Sequence, residues 1–163
     1  MSNHTEAQRP QRNEFTWNVE NKTFKKVFIN TRRYKMITEN EIGKVVIDSA
    51  IAIHKALGSG LYEIVYEVVL THELKKHGLD VERQVPISIE YDGIKFDEGF
   101  RADIIIESKV ILELKSVESV TKAHKKQVLT YLRLTECKLG YLLNFGEELM
   151  KDGITRIING VLK

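Results

Sequence analysis

The spacing of apolar residues changes repeatedly along this chain, and that alternation limits the fold more than any other feature. From Ile42 through Val45, Val46, Ile53 and Leu57, with Ser49 and Ala50 at small positions, the spacing is helical and breaks at Gly58-Ser59-Gly60. Thr38 followed three residues later by Glu41 marks the helix start as a capping box. A second helix is expected from about Leu61 to Gly78, with Leu61, Val65, Val68, Val69 and Leu74 as its apolar stripe. The period then falls to two. Ile87, Ile89 and Tyr91 alternate with polar residues, Asp92-Gly93 makes a hairpin turn, and Ile94 and Phe96 resume beyond it. Two more β runs, Arg101 to Glu107 and Val110 to Val117, meet at a tight turn near Ser108-Lys109. Helical spacing returns from Thr121 to Thr135 with Val128, Leu129 and Leu132, and strands are expected at Leu139 to Phe145 and Ile154 to Ile158. The order is that of a mixed α/β domain, a central sheet covered by helices. The helix after Val117 acts as a crossover, which lets the Leu139 strand run parallel to the one before it.

At 163 residues the chain suits one domain. Residues 39–163 carry the pattern, whereas residues 1–38 are polar and without sustained period. That segment is expected to be a weakly ordered extension; Phe15, Trp17, Val19, Phe24, Val27, Phe28 and Ile29 leave room for one or two weak strands. The start of the chain lacks the apolar core of a signal peptide, and no apolar run approaches the ~20 residues that span a bilayer. One cysteine cannot form an internal disulfide, so a reducing, cytoplasmic setting without membrane contact is the expectation. The net charge of +2 is uneven: residues 1–40 hold eight Lys/Arg against four Asp/Glu, whereas the rest of the chain is slightly acidic. A broad basic face is not evident in the totals, and a polyanion would have to meet a local patch.

The sharpest cluster of reactive residue types is Asp103, Glu113 and Lys115. Glu113 and Lys115 are two apart on a β run and leave it on the same face, flanked by Ile111, Leu112 and Leu114. A covered strand rarely spends a carboxylate and an ammonium on such positions. Two carboxylates at one spot repel each other and favour a divalent cation between them; Mg²⁺ suits two carboxylates, waters and a substrate phosphate. Lys115 would position the attacking water or stabilise charge on phosphorus. The same three residues also fit a cross-strand salt bridge at a sheet edge. The metal reading imposes a register: a clean two-residue turn at Ser108-Lys109 would set Asp103 opposite Leu114, so the hairpin must contain a three-residue turn or a bulge.

Two further sets add to this. His124, Gln127 and Tyr131 share one face of the crossover helix. Gln127 and Tyr131 are candidates to hydrogen-bond Lys115, the water or a phosphate oxygen, or are ordinary polar residues of an amphipathic helix. Glu63, near the start of the second helix one turn before Tyr66, is either a partner of the helix dipole or a third acidic ligand. His54 has no metal-pairing neighbour and is expected to be a packed or capping histidine.

Gly60-Leu61-Tyr62-Glu63-Ile64-Val65-Tyr66-Glu67 resembles the pattern of the GxxExxY family, small proteins similar to the PD-(D/E)XK nuclease superfamily. The resemblance continues through Gln84-Val85-Pro86-Ile87, Tyr91-Asp92-Gly93, Phe100 to Asp103, Glu113-Leu114-Lys115, His124 with Gln127, Tyr131-Leu132, Leu139 to Gly146 and Gly153 to Arg156. It implies a restriction-endonuclease-like core, α-β-β-β-α-β, a central mixed sheet flanked by helices with the site where central strands splay. In that comparison Glu63 resembles the acidic residue of the first core helix and Asp103 the metal-binding Asp. Glu113 and Lys115 resemble the (D/E)xK pair, and Gln127 the helix residue that supports the lysine. The implied activity is metal-dependent phosphodiester hydrolysis, with DNA as the expected substrate. Asp103, Glu113 and Glu63 would bind Mg²⁺ or Mn²⁺, while Arg101, Tyr131, Lys122, Lys125 and Lys126 would contact substrate. A slightly acidic body implies weak, salt-sensitive binding and so a homodimer or a targeting partner protein. The alternative is a non-catalytic module of the same fold that binds nucleic acid or protein.

Overall fold

The computed structural model describes residues 15–18, 23–26 and 37–162. The chain divides after Met36. In the first part, Phe15–Asn18 (β1) and Thr23–Lys26 (β2) pair antiparallel; the rest of the expected extension lies outside the described residues. The second part runs α1 (Glu39–Leu57), α2 (Glu63–Lys76), β3 (Val81–Tyr91), β4 (Ile94–Ile106), β5 (Val110–Lys115), α3 (Lys122–Thr135), β6 (Leu139–Asn144), α4 (Met150–Gly153) and β7 (Ile154–Ile158). No helix among the described residues is long and apolar enough to cross a membrane.

The five strands β3 to β7 lie in sequence order in one sheet. All neighbours are antiparallel except β5 and β6, which run parallel across the α3 crossover. This is the expected mixed α/β, restriction-endonuclease-like arrangement. Central β5 and β6 are buried along nearly their whole length, and α1 and α2 cover one face while α3 covers the other. Ile104, Ile106, Leu112, Leu114 and Leu143 pack with Ile42, Val46 and Leu70 on the first face. Ile105, Ile111 and Leu142 pack with Val128, Tyr131 and Leu132 on the second.

Three local expectations change. Ile94 to Ile106 is one strand of 13 residues rather than two separate runs. Helix α2 buries Tyr66, Glu67, Leu70, Thr71 and Leu74, while Leu61, Val65 and Val68 stay exposed. The α2 sequence is apolar on more than one side, and packing selects the side that places Tyr66 flat against Phe145, ring centroids 4.2 Å apart. Finally, the residues before Ile154 form the short α4 rather than a simple turn.

The capping box of α1 is present in full: the Thr38 side chain accepts from Glu41 N and the Glu41 carboxylate accepts from Thr38 N at 2.8 Å. The hairpin between β4 and β5 has the register that the metal reading requires. Glu107 and Ser108 both adopt left-handed backbone, and Lys109 N donates to Ile106 O at 2.9 Å. Ile106 then pairs with Val110, which leaves Lys109 as an extra residue. The pairs Ile105 with Ile111 and Ile104 with Leu112 follow, and the same register carried one step further would set Asp103 opposite Glu113.

Candidate active site

Three elements meet at the end of β5. Asp103 is carried by β4, Glu113 and Lys115 by β5, and Glu63 by the first turn of α2. Glu113 alternates with Ile111, so both leave the strand toward the α3 side, and Glu113 is only 2% exposed. Its Oε1 accepts from Lys115 Nζ at 2.6 Å, and its Oε2 is buried with no hydrogen-bond partner among the described residues. Asp103 is partly buried, and its Oδ2 accepts from Leu114 N at 2.7 Å.

The electrostatics follow from burial. Desolvation and then the Asp103 charge push the Glu113 carboxyl up to about 7, against the opposing hydrogen bond and charge of Lys115. Burial also raises Asp103, which the Leu114 N–H and Lys115 oppose and which Glu67 and Glu63 reinforce. Burial opposes the charge of Lys115, but its hydrogen bond to Glu113 and the surrounding carboxylates outweigh that and lift it above the ordinary lysine value. These surroundings favour the charged ammonium form of Lys115.

These features test the cluster as a metal centre. A buried Glu113 oxygen without a donor, beside Asp103 and with the ionisation of both acids disfavoured, gains from a cation brought to it. Among the described residues no three His, Cys, Asp or Glu side chains come together as a ready-made cage. Mg²⁺ does not require one, since it is commonly held by one or two carboxylates with waters and substrate phosphate completing the octahedron. Asp103 and Glu113 thus fit a hard divalent cation.

Glu63 also has a structural partner at the end of β5. Its Oε1 accepts from Ser116 N at 3.0 Å, and the Ser116 hydroxyl donates to Leu61 O at 2.8 Å. The charge of Glu63 still reaches Asp103, Glu113 and Lys115, but its carboxylate ties α2 to the end of β5. Tyr66 completes that tie, donating to Gly58 O at 2.7 Å and accepting from Leu61 N at 3.2 Å. Gly60, at φ 96°, permits the loop between them to turn. The Gly-x-x-Glu-x-x-Tyr spacing thus has a direct physical meaning: it locks the start of α2 against the strand that bears the reactive residues.

On α3 the grouping differs from the expectation. Gln127 Nε2 donates to the Tyr131 hydroxyl at 2.5 Å rather than supporting Lys115. Tyr131 is 2% exposed and packs edge-on to Phe100 at 5.5 Å. Burial raises its hydroxyl pKa, which Gln127 opposes and which the Glu113 and Asp103 charges reinforce. His124 caps its own helix, Nδ1 accepting from Thr121 N at 3.3 Å. His54 is packed, with Nε2 2.9 Å from Glu147 O. Arg101 and the α3 residues Lys122, Lys125 and Lys126 are exposed.

One part of the cluster carried no expected role. Glu67, 4% exposed, accepts from Arg83 Nε at 2.8 Å and from Gln84 Nε2 at 2.8 Å. The Gln84 amide also lies 3.5 Å from Asp103 Oδ1. The available sequence signal was the spacing of Glu63 and Glu67, four apart and so on one helix face; which strand residues would face them depends on the fold.

No curated protein and no solved structure matches the chain. The sequence pattern of the PD-(D/E)XK nuclease superfamily matches residues 40–157, which spans the five-stranded sheet, its covering helices and all the residues of the cluster. With a match over well more than half its length, this chain belongs to the PD-(D/E)XK nuclease superfamily.

Proposed function

We propose that this protein is a metal-dependent nuclease that hydrolyses phosphodiester bonds, with DNA as its substrate. The observation that carries the reading is the Asp103–Glu113–Lys115 cluster, with its orphan buried Glu113 oxygen and its raised carboxylate pKa values. Asp103 and Glu113 would hold Mg²⁺ or Mn²⁺. When bound, such an ion supplies Lewis-acid charge to a phosphoryl oxygen and makes a bound water more acidic.

The chain's own residues contribute the rest. Lys115, held charged by Glu113, donates to the attacking water and stabilises the negative charge that develops on the phosphoryl oxygens. Leu114 N–H holds one oxygen of Asp103, which limits how the carboxylate turns. Glu63 and Tyr66 hold the α2 start and the β5 end together. Lys122, Lys125 and Lys126 lie in the first turns of α3, which begins seven residues beyond Lys115, and that helix has no acidic residue in its first turn. Basic residues at the positive end of a helix dipole are locally unfavourable, and a backbone phosphate relieves that cost. Arg101, two residues before Asp103 on β4, serves the same purpose.

The test is cleavage of labelled single- and double-stranded DNA and RNA with Mg²⁺ or Mn²⁺, comparing wild type with Asp103→Asn and Glu113→Gln. Wild type is expected to cut DNA only with the metal, and both variants to be folded and inactive. Metal-independent cleavage, or activity retained in either variant, would remove the proposed centre.

A further inference from the structure

We infer that Gln84 is a positioning residue for Asp103, held in orientation by buried Glu67, and that it thereby sets how tightly the Asp103–Glu113 pair takes a divalent cation. This deepens the metal-dependent reading proposed above and rests on it.

The backbone is the first observation. Gln84 sits within β3 at φ 52°, a left-handed conformation that a side chain of its kind seldom adopts. The flanking pairs Arg83 with Ile104 and Val85 with Ala102 keep one register, so the distortion is confined to this one residue, directly across from Asp103. A strained non-glycine residue persists only where its surroundings over-determine it, and such residues gather at functional sites.

The side chain is the second. Gln84 Nε2 lies 2.8 Å from Glu67 Oε2 and 3.5 Å from Asp103 Oδ1, the outer limit of a hydrogen bond. An amide between two carboxylates presents its NH₂ group to both, one hydrogen to each. Glu67 cannot turn away, because Arg83 Nε holds its other oxygen at 2.8 Å. Asp103 therefore meets a donor on each side: the Gln84 amide from β3 at one oxygen and the Leu114 N–H from β5 at the other. The two donors set the plane of the carboxylate, and the NH₂ group stands between two like charges that would otherwise face each other.

The test is Mn²⁺ calorimetry on the full chain, comparing wild type with Gln84→Gly and Gln84→Asn. Both replacements suit a left-handed backbone better than glutamine, so neither adds strain to β3. Glycine removes the amide altogether, and asparagine withdraws it by one methylene. If Gln84 only shapes the strand, both variants stay folded, with some stability lost at Glu67, and bind Mn²⁺ unchanged. As a positioning residue, its loss weakens Mn²⁺ binding by about 10- to 100-fold in variants that circular dichroism shows to be folded at the assay temperature. Wild-type affinity in a folded variant overturns the inference while leaving the Asp103–Glu113 centre in place. Absence of Mn²⁺ binding by the wild type itself overturns that centre and the inference with it.

Discussion

Replacing Glu113 by glutamine is expected to stabilise the metal-free protein, against the usual outcome of altering a buried charged residue. Glu113 is 2% exposed, and its carboxyl is pushed from the ordinary 4.5 up to about 7, first by burial and then by Asp103. Between those two values the native state holds a proton that the unfolded chain has released. The slope of unfolding free energy with pH is then negative, so stability falls as pH rises through the window from 4.5 to 7 and levels off above it. A difference of that size corresponds to about 3 kcal/mol at pH 8. Glutamine mimics the protonated acid and still offers Lys115 an oxygen acceptor, so it escapes the cost of ionisation. The assay is urea denaturation in EDTA at intervals from pH 4.5 to 8.5. Wild type is expected to lose stability across the window. Glu113→Gln should show a shallower slope, the remainder belonging to Asp103, which burial also raises, and should exceed wild type at pH 8. Saturating Mn²⁺ should restore the wild type, by about 3 kcal/mol at a hundred times its dissociation constant, and leave the variant unmoved. A Glu113→Gln protein no more stable than wild type at pH 8 in EDTA, or one with an unchanged slope, would refute the electrostatic reasoning.

Three other outcomes are expected. Lys115→Ala should lower cleavage by about 10²–10³-fold, as loss of one transition-state donor does, while calorimetry finds Mn²⁺ affinity maintained or increased because a competing cation has left Glu113. Tyr66→Phe keeps the stack on Phe145 but loses the bonds to Gly58 O and from Leu61 N; urea denaturation should show a loss of about 1–2 kcal/mol. Thr38→Ala removes half of the α1 capping box and should cost about 1 kcal/mol by the same measurement, with Thr38→Ser close to wild type.

Much of this protein is legible in its one-dimensional pattern, and the reason is locality. The capping box at Thr38 and Glu41, the left-handed Asp92-Gly93 turn and the switch from helical to alternating spacing depend on residues a few positions apart. So does the pairing of Glu113 with Lys115, because a strand places every second side chain on one face. Even the turn before β5 follows by reasoning, since the two carboxylates can meet only if one extra residue intervenes. Other features required the folded chain. Which side of α2 is buried was decided by the stack of Tyr66 on Phe145, a partner nearly eighty residues away. Gln127 turns to Tyr131, and Glu63 to Ser116, because neighbouring elements bring those acceptors and donors within reach. The Arg83–Glu67–Gln84–Asp103 network joins α2, β3 and β4. The sequence alone determined the order of the elements and the residues able to carry the chemistry. Tertiary structure decided how those residues are oriented, hydrogen-bonded and charged, because a carboxylate's pKa and partners depend on what long-range packing sets beside it and on how much water that packing removes.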